Sequence, residues 1–155
     1  MPTHSETRVL PYTPQQVYAL VADIERYPEF LPWCLACRIR KRETPNTFTA
    51  DLAVGFKMVR EQFTSRVTLD PQKAITVEYL SGPFEHLRNT WAFSAVPGGT
   101  AVDFFLSFEF RSKLLQSLIG VLFEEAVKRM VSAFEIRAAR LYGSTATTPG
   151  TLQPL

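Results

Sequence analysis

The chain predicts an α+β fold in which one curved antiparallel sheet of six to seven strands packs around a long C-terminal helix, with two short helices after the first strand. Three observations predict it. From Ser112 to Tyr142 the apolar residues Leu115, Leu118, Ile119, Leu122, Ala126, Val127, Met130, Phe134 and Leu141 recur near the 3.6-residue period of a helix buried on one face. Between Leu35 and Arg111 the period is two, as in half-buried strands. Turn residues then punctuate these runs at Pro45-Asn46, Asp70-Pro71, Ser81-Gly82-Pro83 and Pro97-Gly98-Gly99, and such short connections imply an antiparallel meander. A helix of about 30 residues spans roughly 45 Å, too long for a crossover between neighbouring strands. It needs a wide sheet to cover its apolar face.

Taken in order, His4 to Leu10 reads as the first strand. Thr13-Pro14-Gln15-Gln16 gives a capping box with proline at the first helical position, followed by Val17, Leu20, Val21 and Ile24 at helical spacing. Pro28 and Pro32 break that helix and leave a compact segment from Tyr27 to Trp33. Strands follow at Leu35–Glu43, Thr47–Phe56, Met58–Leu69, Ala74–Leu80, His86–Ala95 and Ala101–Arg111. Alternation turns Phe48, Leu52, Val54 and Phe56 inward, then Phe63 and Val67, then Ile75, Val77 and Tyr79, then Leu87, Trp91 and Phe93. The last strand is clearest, with Val102, Phe104, Leu106, Phe108 and Phe110 on one side. On the long helix, Ser112 is the expected N-cap and Gly143 the stop, and Glu124 and Glu125 each precede a cation, Lys128 or Arg129, by four residues. Gly120, inside that helix, marks either a bend or a close approach of bulky sheet side chains.

At 155 residues the chain reads as one domain over 1–143, with a polar, proline- and glycine-containing tail over 144–155 expected to be disordered. The 12 phenylalanines are the unusual component, because aromatics concentrate in cores and ligand sites. Alternation does not separate a filled core from a lined cavity. A net charge of +2 lacks the bias of a dedicated nucleic-acid binder, and no DNA partner is expected. No apolar run reaches the length of a membrane span. Met1 to Glu6 lacks the regions of a signal peptide, so the expected location is cytoplasmic.

The candidate chemistry is sparse. Trp33-Cys34-Leu35-Ala36-Cys37 has redox spacing, but that chemistry needs the first thiol at a helix N-terminus, and here a strand follows. Two positions three apart on a regular strand face opposite sides, which predicts thiols that do not converge. His4 and His86 stand in no metal-ligand spacing. Neither a nucleophile elbow nor a phosphate loop is present. Glu61 shares its strand face with Phe63 and Val67, so it is either an inward general base or ligand acceptor, or a rim residue paired with Arg60 or Arg88. Arg38, Arg40 and Arg42 fall on one face of a strand, either solvated or in contact with anionic lipid or RNA.

Tyr27-Pro28-Glu29-Phe30-Leu31-Pro32-Trp33-Cys34 resembles the segment that identifies the coenzyme Q-binding Coq10 family and its bacterial relative RatA. Phe63-Thr64-Ser65-Arg66-Val67 resembles a second block of that family, and Gly82-Pro83-Phe84-Glu85-His86-Leu87, leading into Trp91 and Phe93, a third. The resemblance covers residues 3 to 142 and implies a START-like helix-grip fold of the polyketide cyclase-like superfamily, with a hydrophobic cavity between sheet and helix. It implies non-catalytic binding of a hydrophobic ligand, ubiquinone first, in a polyisoprenoid quinone chaperone supporting respiration. The alternatives it leaves are a toxin of a toxin–antitoxin pair that hinders ribosomal subunit association and, more distantly, a cyclase-like enzyme.

On that reading the ligand would meet Phe30 and Trp33 of the proline-broken segment. From the strands it would meet Val54, Phe56, Phe63, Val67, Tyr79, Phe84, Leu87, Trp91, Phe93, Phe104 and Phe108. The long helix would add Leu118, Leu122 and Met130. No catalytic residue, metal or cofactor is expected apart from ubiquinone as bound ligand. The expected partners are the polyisoprenoid quinone, the surface of the inner membrane in peripheral contact, and the ribosome. Tyr27, Phe30, Leu31, Trp33 and Phe84 are expected exposed at the cavity mouth, where a lipid would enter from the membrane.

Overall fold

The computed structural model describes residues 3–56 and 59–143, apart from the side chains of Phe56, Val59 and Val121. Met58, expected at a strand start, and the tail over 144–155 lie outside the described residues. The elements are β1 (Thr3–Leu10), α1 (Pro14–Ala22), a 3₁₀ helix (Ile24–Glu29), β2 (Cys34–Thr44), β3 (Thr47–Phe56), β4 (Val59–Asp70), β5 (Ala74–Ser81), β6 (Phe84–Val96), β7 (Gly99–Phe110) and α2 (Lys113–Tyr142). All seven strands form one sheet in the order β1-β7-β6-β5-β4-β3-β2. Strands β2 to β7 are the expected meander, and β1 closes the far edge by pairing antiparallel with β7.

Local chemistry explains the boundaries. The Thr13 hydroxyl accepts from the Gln16 amide at 3.1 Å while the Gln16 side chain accepts from the Thr13 amide at 3.0 Å, so the capping box forms in full. The following 3₁₀ helix carries Pro28 inside it, and the Leu31 amide still reaches the Tyr27 carbonyl at 2.8 Å. Ser112 caps α2 by accepting from the Leu115 amide at 3.2 Å, and Gly143 ends it at φ 84°. At the β6–β7 turn, Gly99 has φ 157°, and a Cβ there would lie 1.9 Å from the Leu10 carbonyl oxygen. Only glycine lets β1 run this close to the turn.

The thirty-residue α2 lies across the inner face of the sheet. Its C-terminal end is fastened by two tyrosines: Tyr12 donates to the Gly143 carbonyl and Tyr142 to the Gln16 carbonyl, both at 2.9 Å, with the rings 5.7 Å apart. The core divides in two. The larger part joins α1, the sheet and the C-terminal half of α2 through Val17, Phe48, Trp91, Phe104, Val127 and Phe134. The smaller gathers around Phe84, Phe110 and Ile119 at the N-terminal half of α2.

The edge strand β2 departs from the simple period. Its register slips between Cys34 and Ala36, between Ile39 and Lys41, and between Arg42 and Thr44. Each slip moves the residues beyond it to the other face. The three arginines therefore do not share a face, contrary to expectation. Arg38 and Arg40 approach Asp51 at 3.9 and 3.4 Å, whereas Arg42 turns over the buried Phe48 ring, 5.0 Å from its centre.

Candidate functional site

Between sheet and α2 lies an apolar cavity of about 200 Å³. The sheet supplies its floor because the inward positions of five strands converge there: Leu52 and Val54 from β3, Phe63 and Val67 from β4, Ile75 and Val77 from β5, Leu87, Asn89 and Trp91 from β6, and Phe104, Leu106, Phe108 and Phe110 from β7. The roof is Ile119, Phe123, Ala126, Val127, Met130 and Phe134 of α2. Ile24, Tyr27, Leu31, Trp33 and Cys34 close one end.

Aromatic packing frames the cavity at each end. Trp91 stands edge-on to Phe104 at 4.8 Å and to Phe134 at 5.2 Å, and Tyr27 meets Phe134 at 5.5 Å. At the other end Phe84 stacks on Phe110 at 4.7 Å and receives Phe63 and Tyr79 edge-on. Such rings are stiff and cannot collapse into the gap without losing their mutual contacts.

The polar atoms of the lining side chains are all engaged within the protein. Asn89 donates to the Phe105 carbonyl at 2.8 Å and accepts from the Trp91 indole at 3.1 Å. The Trp33 indole donates to the Ala126 carbonyl at 3.3 Å, and the Tyr27 hydroxyl to the Val21 carbonyl. The Cys34 thiol lies 3.8 Å from the Ala36 carbonyl. What remains facing the cavity is hydrocarbon and ring surface.

Ten of the expected residues line this space: Trp33, Val54, Phe63, Val67, Phe84, Leu87, Trp91, Phe104, Phe108 and Met130. Five do not. Phe93 is buried beyond Trp91, edge-on to Tyr18 at 6.0 Å, and belongs to the core around α1. Tyr79 backs Phe84 and accepts from its amide at 3.1 Å. Leu122 packs against the smaller core, and Leu118 is 39% exposed on the outer side of α2. Phe30 lies behind the end wall, edge-on to Tyr27 and Phe134. The Phe56 side chain lies outside the described residues. Fifteen further lining residues were not among those expected to meet the ligand, and two of these, Phe123 and Asn89, were not expected to face inward at all. Phe123 is four residues from both Ile119 and Val127, a spacing consistent with the inner face but shared by Leu114, Leu118 and Leu122. Asn89 shares the strand parity of Leu87 and Trp91, the signal that places its amide among apolar neighbours.

The expected mouth is also corrected. Leu31 and Phe84 are each 4% exposed, and Tyr27 is held by its hydroxyl and its rings, so these residues plug the ends of the core. Among the described residues the large exposed apolar side chains of α2 are instead Leu114, Leu118, Ile136 and Leu141. Glu61, opposite Val54 in the β3–β4 register, is half-buried and outside the cavity lining. Gly120 has open space where a Cβ would stand, which excludes the close approach considered for it.

The β2 bulge overturns one further expectation. With Leu35 bulged outward, Cys34 pairs opposite Val54 and Cys37 opposite Leu52, so both thiols face inward. Both are free, and burial pushes Cys34 up to about 11 and Cys37 up to about 12, the latter also through Cys34, Glu25 and Asp51. A catalytic thiol needs the opposite shift.

A curved antiparallel sheet gripping a long helix over an apolar interior defines a START-like α+β protein. The chain belongs to the polyketide cyclase / dehydrase and lipid transport family, which it matches over residues 10–135. It is 39% identical over 142 residues to the ribosome association toxin RatA of Rickettsia prowazekii, covering 89% of this chain and 97% of that one. It is 38% identical over 145 residues to the mitochondrial coenzyme Q-binding protein COQ10 homolog B of Xenopus laevis, covering 90% of this chain and 59% of that one. The solution structure of an 18 kDa protein from Caulobacter crescentus superposes with a TM-score of 0.77 at 37% identity, covering 93% of this chain and all of that one. Among the described residues no helix is long and apolar enough to cross a membrane.

Proposed function

We propose that this protein is a non-catalytic carrier of a polyisoprenoid quinone, ubiquinone in the first instance, and that the isoprenoid chain is the part the cavity holds. The observation that carries this reading is the paired state of every polar atom on the lining side chains. A quinone ring brings carbonyl acceptors that need donors, and these walls have committed theirs. An isoprenoid chain asks only for apolar surface, at about 25 cal/mol for each Å² removed from water. The volume of about 200 Å³ is below the roughly 300–1,000 Å³ of a site for a drug-sized ligand, so part of the chain and the ring extend beyond it. The protein works in the cytoplasm, with peripheral contact at the inner membrane where such a lipid resides, in support of respiration.

Both tryptophans line the cavity, so intrinsic fluorescence reports occupancy directly. Titration with ubiquinones of increasing chain length should quench it with affinity rising per isoprenoid unit. Organic extracts of protein purified from its native host should contain a prenylquinone by mass spectrometry. Absence of both quenching and extractable prenyl lipid would refute the carrier reading.

A second reading has a specific observation behind it. The match to a ribosome association toxin spans nearly the whole of that relative, whereas the coenzyme Q-binding relative is matched over 59% of its length. In this reading the protein acts on a ribosomal subunit, and salt-sensitive cosedimentation with isolated subunits tests it.

A further inference from the structure

A second concavity lies outside the cavity, on the outer face of the C-terminal half of α2. It runs between that helix and the Glu29–Pro32 segment and has a volume of about 610 Å³. Four cations line it, Lys128, Arg129, Arg137 and Arg140, against one carboxylate, Glu29. The first and last are twelve residues apart, which sets a row about 18 Å long at 1.5 Å per residue. Four cations against one lining carboxylate make this groove more positive than the chain as a whole, which carries +2.

The row is partly fixed and partly free. Arg137 is only 16% exposed, donates to Glu29 at 3.0 Å and lies 5.0 Å from the centre of the Phe30 ring. Its Nε–H is buried with no acceptor among the described residues. Arg129 is paired with Glu125 at 2.8 Å. Lys128 and Arg140 are exposed and form no ion pair among the described residues, so their charges are available to a ligand. Pro32 and Ile136 add apolar surface to the same groove.

We propose that this groove binds the phosphodiester backbone of single-stranded RNA. A cationic groove that tracks a backbone, with flat guanidinium and apolar surfaces on which bases stack, is the chemistry such strands require. A bilayer fits less well, because it is flat and would touch only the rim. Interfacial insertion also needs a face of several apolar side chains, and Ile136 is the one large exposed apolar residue here. This inference rests on the ribosome reading and assigns it a surface and a contact chemistry. It is independent of the quinone cavity.

The test is fluorescence anisotropy of the full chain with a short fluorescein-labelled single-stranded RNA, from about 50 to about 200 mM salt. With the two free cations engaged, log K against log salt should have a slope of about −1.4, steepening toward about −2.8 where Arg129 and Arg137 exchange their carboxylates for phosphate, and Lys128→Ala/Arg140→Ala should make it shallower by about 1.4. Both side chains are exposed and unpaired among the described residues, so the melting temperature should not move, and Arg38→Ala on β2 should bind RNA like the parent. Failure of the parent to bind RNA at low salt, or an unchanged slope in the double variant, would overturn the proposal. So would binding to phosphatidylglycerol vesicles that depends on these two residues when RNA is not bound. Subunit cosedimentation separates the two ideas. If the double variant still cosediments, the groove proposal fails and the ribosome reading stands. If the parent never cosediments yet binds RNA through the groove, the ribosome reading fails and the groove stands.

Discussion

At Leu35 a single bulged residue decides what the two thiols can do. Regular alternation separates Cys34 from Cys37, and the slip puts both on the inner face, in apolar surroundings that disfavour the thiolate. A bulge on an edge strand depends on how its partner twists, which no local pattern in Leu35-Ala36 encodes. The same limit hid the turn of Arg42 onto Phe48. The inward face of β3 to β7 was legible because those ladders hold the period of two across nearly their whole length, but the period does not say which inward residues reach the cavity, as Tyr79 and Phe93 show. On α2 the signal was ambiguous in phase: Leu114, Leu118 and Leu122 form one apolar line and Ile119, Phe123 and Val127 another, and only tertiary packing chose the second. The thiol environment has a consequence in alkaline solution. Each group has a usual value of 9.0 and a folded value near 11 or 12, so above pH 9 the unfolded chain releases protons that the folded chain retains. Stability is therefore intact below pH 9 and falls as pH rises towards 12, and burial of the Tyr27 phenol acts in the same direction. Urea titrations across that range should show the decline, and Cys34→Ala/Cys37→Ala should flatten it. A decline of equal steepness in the double variant would show that the thiols are not its cause.

Among the elements, α2 is the one whose design is least explained by stability. Its boundaries and length were legible from the serine N-cap, the terminal glycine and the sustained period. Gly120 was legible as an anomaly but not as a structure, since an alanine and a glycine leave the same periodic pattern. The position is exposed, helical and open, with no atom within 4 Å of where a Cβ would stand. Nothing in the packing demands glycine there, and in a helix interior it costs about 1 kcal/mol relative to alanine. Gly120→Ala should thus raise the free energy of unfolding by about 1 kcal/mol, read from the denaturation midpoint at constant m-value. A fall in stability would mean that the backbone at this point departs from ordinary helix when the protein is in solution.

For the molecule as a whole, the two-part core leaves a gap where a close-packed one would be more stable. Voids lined by apolar groups forfeit dispersion contacts and cost stability in proportion to their size, so an unfilled cavity of about 200 Å³ weighs against folding. A protein selected for stability alone would close it. The aromatic frame of Trp91, Phe104, Phe134, Phe84 and Phe110 instead keeps it open. Such a trade of stability for a site makes a prediction with opposite signs for fold and function. Ala126 lines the cavity from α2, and its side chain is the smallest in the lining. Ala126→Leu adds three carbons where space exists, keeps a strong helix former at the position and leaves the carbonyl that holds the Trp33 indole in place. The variant should match or exceed the parent in melting temperature when both are free of lipid, and should lose quinone quenching of the tryptophans. Saturating ligand at about a hundredfold over Kd should stabilise the parent by about 2.7 kcal/mol and the variant by far less. A variant that loses stability and binding together would show that the space beside Ala126 does not take the larger side chain and that the open cavity is not there in solution, and a variant that binds undiminished would place the ligand elsewhere.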